Sequence, residues 1–418
     1  MKLLTVDTLE EARLKLWDRV KSRPLESETV TLDEAAGSGF AQARILAKDL
    51  YVSADIPGFR RSIVDGYAVI AGDTSGAGEA IPVFLKQTGS VSMGKSADFS
   101  IRPGECAYVP TGGMLPDGAD AVVMVEYTEK AGGNIAVYEA VAQGAGMAEA
   151  GEDMRKGELL LRRGILIRPQ EAGALAAAGI MKVLTFSPLK LTLISTGDEL
   201  VRPTEDPGPG EVRDINTQAL KALALKRGYR VLSTRVLPDD EEQLETALRE
   251  ALVESDVIAV SGGSSQGEKD LTAAVIDRVS RPGVFTHGLS LKPGKPTILG
   301  WDEDSQTILA GLPGHPVAAM MVFELLFGWL QDKIFDVNVN RPSSFPIPAR
   351  ISCNVPGSPG RTVCQPVLLH PENGSYLAEP VFGKSGMIST LTRADGYVFI
   401  DLNSEGLKKG EPVFVHLF

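Results

Sequence analysis

LKLTLIST (residues 189–196) and SDVIAVSGG (255–263) decide how the chain is read. Each is a short apolar run that ends in a Gly-containing loop, the form of a buried strand running into a strand-end turn. Between them, NTQALKALALKRG (216–228) and DDEEQLETALREAL (239–252) carry helical periodicity, and RVLSTRVL (230–237) reads as a strand. Further on, QTILAG (306–311) is a strand and HPVAAMMVFELLFGWL (315–330) a helix. Strands that alternate with helices predict a parallel α/β sheet, here over residues 184–335.

The flanks have a different texture. Residues 51–146 alternate short β-prone runs (Tyr67–Ile70, Val83–Lys86, Cys106–Val109, Ala121–Glu126, Asn134–Tyr138) with Gly, Pro and Asp turns, which predicts a small inserted β domain. On either side lie segments that read as helical, 1–50 and 147–183. Leu9, Ala12, Leu16 and Val20 recur at helical spacing, and PQEAGALAAAGI has a Pro start and a Gly stop. After residue 340 the chain turns β-like again in ARISCNV, TVCQPVLL, SYLAEPV, GYVFIDL and PVFVHLF, which predicts a C-terminal barrel or sandwich over 340–418. The chain is thus expected to be multidomain, α/β plus β, as its 418 residues allow at ~100–200 residues per domain.

The net charge is -12, from 42 Lys+Arg against 54 Asp+Glu, and aromatics are only 6%. An acidic surface with few stacking rings argues against nucleic acid and anionic membranes as partners. It equally repels small anions, so an anionic substrate needs cations or backbone N–H groups gathered locally. The three cysteines form no CxxC, the four histidines show no zinc spacing, and the N-terminus has no apolar signal region. The expected location is a reducing cytoplasm.

Ligands of open parallel sheets bind beyond the carboxyl ends of the strands. Ser195-Thr196-Gly197-Asp198-Glu199-Leu200 puts two acids after a strand-end Gly; they either hold Mg²⁺ or cap a backbone N–H. Ser261-Gly262-Gly263-Ser264-Ser265-Gln266-Gly267-Glu268-Lys269-Asp270 offers inward N–H groups and hydroxyls to an anion and ends in a possible metal-binding acid, although it is not a P-loop. Pro313-Gly314-His315-Pro316 opens a helix whose N-terminus favours an anion, or is a plain strand–helix connection. Lys292-Pro293-Gly294-Lys295-Pro296 holds two lysines in a stiff turn suited to an oxyanion. Asp65-Gly66 and Thr111-Gly112-Gly113, taken alone, are ordinary turn chemistry.

Together SIVDGYA, PTGGMLPDGADAVV, GEDMRKGELLL, STGDEL, SGGSSQGEKD, KPGKP and LPGHPV, in this order, resemble the molybdopterin molybdenumtransferase family, the bacterial molybdenum insertases and the E domain of gephyrin. The resemblance implies an elongated helical region built from two segments, an inserted β domain, an α/β domain related to molybdopterin adenylyltransferases, and a C-terminal β-barrel. It implies a homodimer whose cleft joins the α/β domain of one subunit to the β domain of the other. It also implies an enzyme that inserts molybdate into adenylylated molybdopterin and releases AMP, with a divalent cation such as Mg²⁺, and a possible contact with the adenylyltransferase.

By motif position, the resemblance assigns Asp65 and Thr111 to the β-domain side of the cleft. Glu199 and Asp270 would handle metal and phosphate, and Lys292 and Lys295 the molybdate or pyrophosphate. Gly262, Gly263, Ser264, Ser265, Gly267, Pro313, Gly314, His315, Arg361 and Ser385 would bind substrate. The chain departs from the family pattern at His315, where Asn is common, at Ala318, where Ser is common, and in Gly146–Ala150, a segment that is often basic. Two other readings compete: adenylyl transfer to molybdopterin, suggested by the α/β domain alone, and a non-catalytic scaffold of the gephyrin type.

Overall fold

The computed structural model describes residues 6–37, 43–262, 269–335, 345–372 and 374–418; the side chains of Lys269 and Asp270 are outside that description. Two compact units emerge. One comprises residues 1–47, 164–168 and 182–418, the other 48–163 and 169–181.

The larger unit is built on a six-stranded sheet. Its strands lie in the order Arg230–Leu237, Lys190–Thr196, Val257–Gly262, Thr307–Leu312, Ile298–Asp302 and Pro282–His287. The first four are parallel, as the βα alternation predicts; the last two join through antiparallel pairings, so that Ile298–Asp302 runs opposite to the other five. The sheet is therefore mixed. Ile298–Asp302 and Thr307–Leu312 are joined by a short turn, which antiparallel pairing permits and a parallel crossover does not.

Side chains of the parallel strands alternate between two cores. Leu191, Leu193, Val257, Ala259, Ile308 and Ala310 face one cluster, which Asn216–Lys226 and Pro316–Phe323 complete with Leu220, Val317 and Phe323. Ile194, Ile258, Val260 and Leu309 face the other, closed by Leu244, Leu248, Val275 and Ile276 from Glu241–Leu252 and Lys269–Val279. Burial on both faces is why these strands read as continuous apolar runs.

The helix expected over 315–330 is interrupted. Pro316–Phe323 passes through a π-helical segment, Glu324–Gly328, into Trp329–Ile334. A π segment displaces carbonyls from their usual partners. Side chains from elsewhere take them up: Arg13 donates to Leu325 O at 3.0 and 2.8 Å, and the Tyr229 hydroxyl donates to Phe327 O at 2.7 Å.

The C-terminal strands close on themselves. Ile347–Ile351 pairs with both Ser375–Pro380 and Pro412–Leu417; Thr362–Glu372 pairs with Ser375–Pro380 and with Gly396–Ile400; and Gly396–Ile400 returns to Pro412–Leu417. This five-stranded ring is the expected barrel, filled by Ile351, Val367, Val398, Ile400 and Val415. One further strand joins it from the α/β domain, since Leu291–Lys292 runs parallel to Thr362 and Val363. That pairing brings the KPGKP turn to the barrel.

The N-terminal helix Leu9–Val20 carries a capping box between Thr8 and Glu11 and buries Ala12, Leu16 and Val20. The segments expected to be helical also contain strands. Ser27–Thr31 pairs antiparallel with Lys182–Phe186, and in the smaller unit Leu50–Tyr51 pairs with Leu159–Leu161.

The smaller unit carries a six-stranded sheet in the order Ala121–Met124, Gly66–Val69, Glu105–Val109, Val83–Ser90, Asn134–Val137 and Thr128–Ala131. Its five expected strands are present, and Thr128–Ala131 is an additional polar edge strand. Among the described residues no helix is long and apolar enough to cross a membrane.

Candidate functional site

Two cavities open in the larger unit where the parallel strands end. The first, about 570 Å³, is lined by the strand-end residues Thr196, Gly197, Ser261 and Gly262, by Glu199, by Asp214 and Asn216, and by Gly314, His315 and Gly386. Its walls are held by a hydrogen-bond lattice. The Asn216 amide donates to Ser261 Oγ and to Gly314 O, both at 2.7 Å, and so ties one strand-end loop to the loop before the Pro316 helix. Ser261 Oγ in turn donates to Pro313 O at 3.3 Å. Asp214 is buried and fully engaged: it accepts from Ser195 Oγ at 2.9 Å, from the Thr217 N–H at 3.3 Å, and from the Thr217 hydroxyl.

Glu199 differs from Asp214. It is exposed, its carboxylate folds back over Gly197, and its side chain has no hydrogen-bond or ion-pair partner among the described residues. The cap reading of the STGDEL acids falls instead to Asp198, whose Oδ1 accepts from the Asp239 N–H at 3.1 Å. A carboxylate that shares a cavity with the hydroxyls of Thr196 and Ser261 belongs to the hard-oxygen donors that Mg²⁺ prefers, so the residue types present fit such an ion. No cluster of three metal-binding side chains occurs among the described residues. Asp270, Gly263, Ser264, Ser265 and Gly267 lie outside what the structure describes in side chain or altogether.

The second cavity, about 620 Å³, lies between the α/β domain and the barrel. Four cations line it: Lys292 and Lys295 from the KPGKP turn, Arg361 from the barrel strand beside it, and Lys384. No carboxylate among the described residues does. None of the four side chains has a partner among the described residues, although the chain carries a net -12. Such a concentration of unpaired positive charge is what an oxyanion requires and what folding alone disfavours. The turn is rigid: Gly294, at φ 130°, packs under Val322, where a Cβ would stand 2.7 Å from its Cγ2, and Thr297 Oγ1 donates to Gly294 O at 2.7 Å.

His315 lines both cavities. Its Nδ1 is 2.7 Å from Ser385 Oγ, and the Val317 N–H donates to Ser385 O at 3.1 Å. The first turn of the Pro316 helix is thus pinned to the barrel loop.

Comparison with known proteins decides the family. Residues 7–179 match the MoeA N-terminal region (domain I and II), 192–332 a probable molybdopterin binding domain, and 348–418 the MoeA C-terminal region (domain IV). The molybdopterin molybdenumtransferase of Haemophilus influenzae is 30% identical over 98% of each chain. The chain belongs to the molybdopterin molybdenumtransferase (MoeA) family. The molybdopterin molybdenumtransferase of Bacillus subtilis is 28% identical, over 94% of this chain and 90% of its own length. A crystal structure of the molybdopterin biosynthesis MoeA protein from Pyrococcus horikoshii OT3 superposes with a TM-score of 0.82 at 31% identity, over 99% of this chain and 100% of that one.

The larger unit therefore brings together Glu199, Gly262, Pro313, Gly314 and His315 at the strand ends, and Lys292, Lys295, Arg361 and Ser385 beside the barrel. Asp65 and Thr111 belong to the other unit, where they meet each other: the Thr111 N–H and hydroxyl donate to Asp65 Oδ1 at 2.7 and 3.1 Å. Sequence reasoning passed over Asn216 and Lys384 as site residues. Asn216 was hidden as one more polar residue at a helix start. Lys384 had a signal, since it directly precedes Ser385, but an isolated loop lysine carries no weight until the fold sets it beside three other cations.

Proposed function

We propose that this chain inserts molybdate into adenylylated molybdopterin, releasing molybdenum cofactor and AMP. The observation that carries the reading is the cavity walled by Lys292, Lys295, Arg361 and Lys384, with no carboxylate among its described residues, on an otherwise acidic protein. A tetrahedral dianion held there exchanges its water shell for N–H donors of opposite charge. Ser385 adds a hydroxyl to the same wall, and the strand-end cavity takes the phosphate-bearing end of the activated pterin, where Gly262 and Gly314 leave room for close backbone approach.

Glu199 and Asp270 would hold the divalent cation, Mg²⁺, which neutralises pyrophosphate charge and stabilises AMP as it leaves. We assign Asp65 and Thr111 to the same reaction through a homodimer, in which the exposed Thr111–Asp65 turn of one subunit completes the cleft of the next. The domains of this assembly follow 1–50 with 147–183, 51–146, 184–335 and 340–418. Contact with a molybdopterin adenylyltransferase that supplies the activated pterin, and a cytoplasmic location, complete the reading; three free cysteines, two of them buried, suit a reducing compartment.

The test is to mix purified protein with adenylylated molybdopterin, Mg²⁺ and molybdate. Molybdate-dependent AMP release is expected. Release of pyrophosphate from ATP and molybdopterin instead would identify an adenylyltransferase, and no turnover of either kind would favour a scaffold.

A further inference from the structure

The imidazole of His315 lines both cavities and turns its two edges to different neighbours. Nδ1 is 2.7 Å from the hydroxyl of Ser385, which lines the cationic cavity. The opposite edge faces Gly386, which lines the strand-end cavity: an ideal Cβ on Gly386 would stand 3.6 Å from His315 Cδ2 and 3.8 Å from Nε2. Nε2 has no partner among the described residues.

A neutral imidazole has one donor and one acceptor nitrogen, and a hydroxyl has one hydrogen to give. Two arrangements follow. In the first, Ser385 donates to Nδ1 and the ring proton sits on Nε2, toward the strand-end cavity. The Ser385 oxygen then has no hydrogen left for an anion among the lysines. In the second, Nδ1–H donates to Ser385 Oγ. The hydroxyl hydrogen is freed for an anion in the cationic cavity, while Nε2 shows a lone pair to the strand-end side. Passing from one to the other, Nε2 loses a proton to water and Nδ1 gains one, so the charge of the ring is unchanged.

We propose that His315 and Ser385 form a tautomer switch that serves one cavity at a time, so that an oxyanion beside the lysines and a phosphate at the strand ends weaken each other's binding. His315 is here a positioning residue: it sets which cavity receives a donor. The proposal rests on the insertion reading for the identity of the two anions. It gives that reading an order of events, because a phosphate leaving the strand-end side releases the switch toward the oxyanion side.

Calorimetric titration of molybdate into the full-length protein, with and without saturating AMP, tests it. A charge-assisted hydrogen bond is worth about 1.5–3 kcal/mol, so AMP is expected to weaken molybdate roughly tenfold or more, and molybdate to weaken AMP by the same factor. In His315→Leu and in Ser385→Ala the mutual effect should shrink to one small common residue of direct repulsion. A merely structural role for His315 would lower affinities without removing the dependence of one ligand on the other. Ser385→Ala keeps the test available if His315→Leu does not fold. Mutual weakening that is absent in the wild type, or undiminished in both variants, overturns the switch. If the wild type binds neither molybdate nor AMP, it is the insertion reading that fails.

Discussion

Gly262 lies so close to Thr196 that an ideal Cβ on it would stand 2.0 Å from the Thr196 carbonyl oxygen and 2.7 Å from the hydroxyl oxygen. Its φ is also 136°, a conformation that side chains rarely adopt. Both neighbours are on adjacent parallel strands, where Thr196 pairs with Gly262. The Cβ has nowhere to go without parting the strands at the mouth of the strand-end cavity. Gly262→Ala should cost on the order of 3 kcal/mol or more, combining backbone strain with the collision. At ~2–4 °C per kcal/mol, thermal unfolding should show a Tm lower by roughly 6 °C or more. A variant with wild-type Tm would mean that Gly262 and Thr196 do not approach this closely.

The cation wall makes a second prediction. Lys292→Ala and Lys295→Ala should each weaken molybdate binding roughly tenfold or more, because each removes a charge-assisted donor worth about 1.5–3 kcal/mol. Lys384→Ala should act in the same direction, and to the same readout, although no sequence motif assigned it a role. Stability should barely move, since the three lysines are exposed and without partners among the described residues. Unchanged molybdate affinity in all three variants would remove the cavity from the reaction.

Much of this was legible beforehand, for physical reasons. Strands such as Val257–Gly262 are buried on both faces and flanked by amphipathic helices, so period and composition agree. In the barrel, Ile347–Ile351 and Pro412–Leu417 alternate between core and solvent. What stayed hidden was set by partners distant in the chain. Ser27–Thr31 is polar and alternates between exposed and half-buried positions, and it becomes a strand only because Lys182–Phe186 lies beside it. The same holds for the site. KPGKP could be recognised as a stiff cationic turn, but its meeting with Arg361 depends on the pairing of Leu291–Lys292 with Thr362–Val363, which no local pattern encodes. The role of Glu199 was open between metal and cap; the structure gives the cap to Asp198 and leaves the Glu199 side chain without a partner among the described residues.

Glu199→Gln follows from that division. The substitution keeps size and hydrogen-bonding reach and removes the charge that a hard cation prefers. AMP release should fall steeply, the Mg²⁺ concentration for half-maximal rate should rise, and Tm should stay within about 1 °C, because an exposed side chain without partners contributes little to folding. Normal turnover at ordinary Mg²⁺ would show that Glu199 is not a metal ligand.

The barrel carries a pH dependence of its own. His416 stacks on Tyr397 with ring centroids 5.4 Å apart and 17° between planes, and meets Phe399 edge-on at 5.2 Å. Burial among these rings disfavours the charged imidazole and holds its pKa below the ordinary value of 6.5. Above that value both the folded and the unfolded chain carry a neutral ring, and the histidine adds no pH dependence. As the pH falls below it, the unfolded chain binds a proton that the folded barrel refuses, so stability declines until the folded-state pKa is passed. His416→Phe keeps an aromatic ring in the stack and removes the proton. Urea unfolding at pH values of about 7.5 and 5 should therefore show a smaller loss of stability on acidification in His416→Phe than in the wild type. Equal losses would mean that the ring is solvated enough to titrate alike in both states.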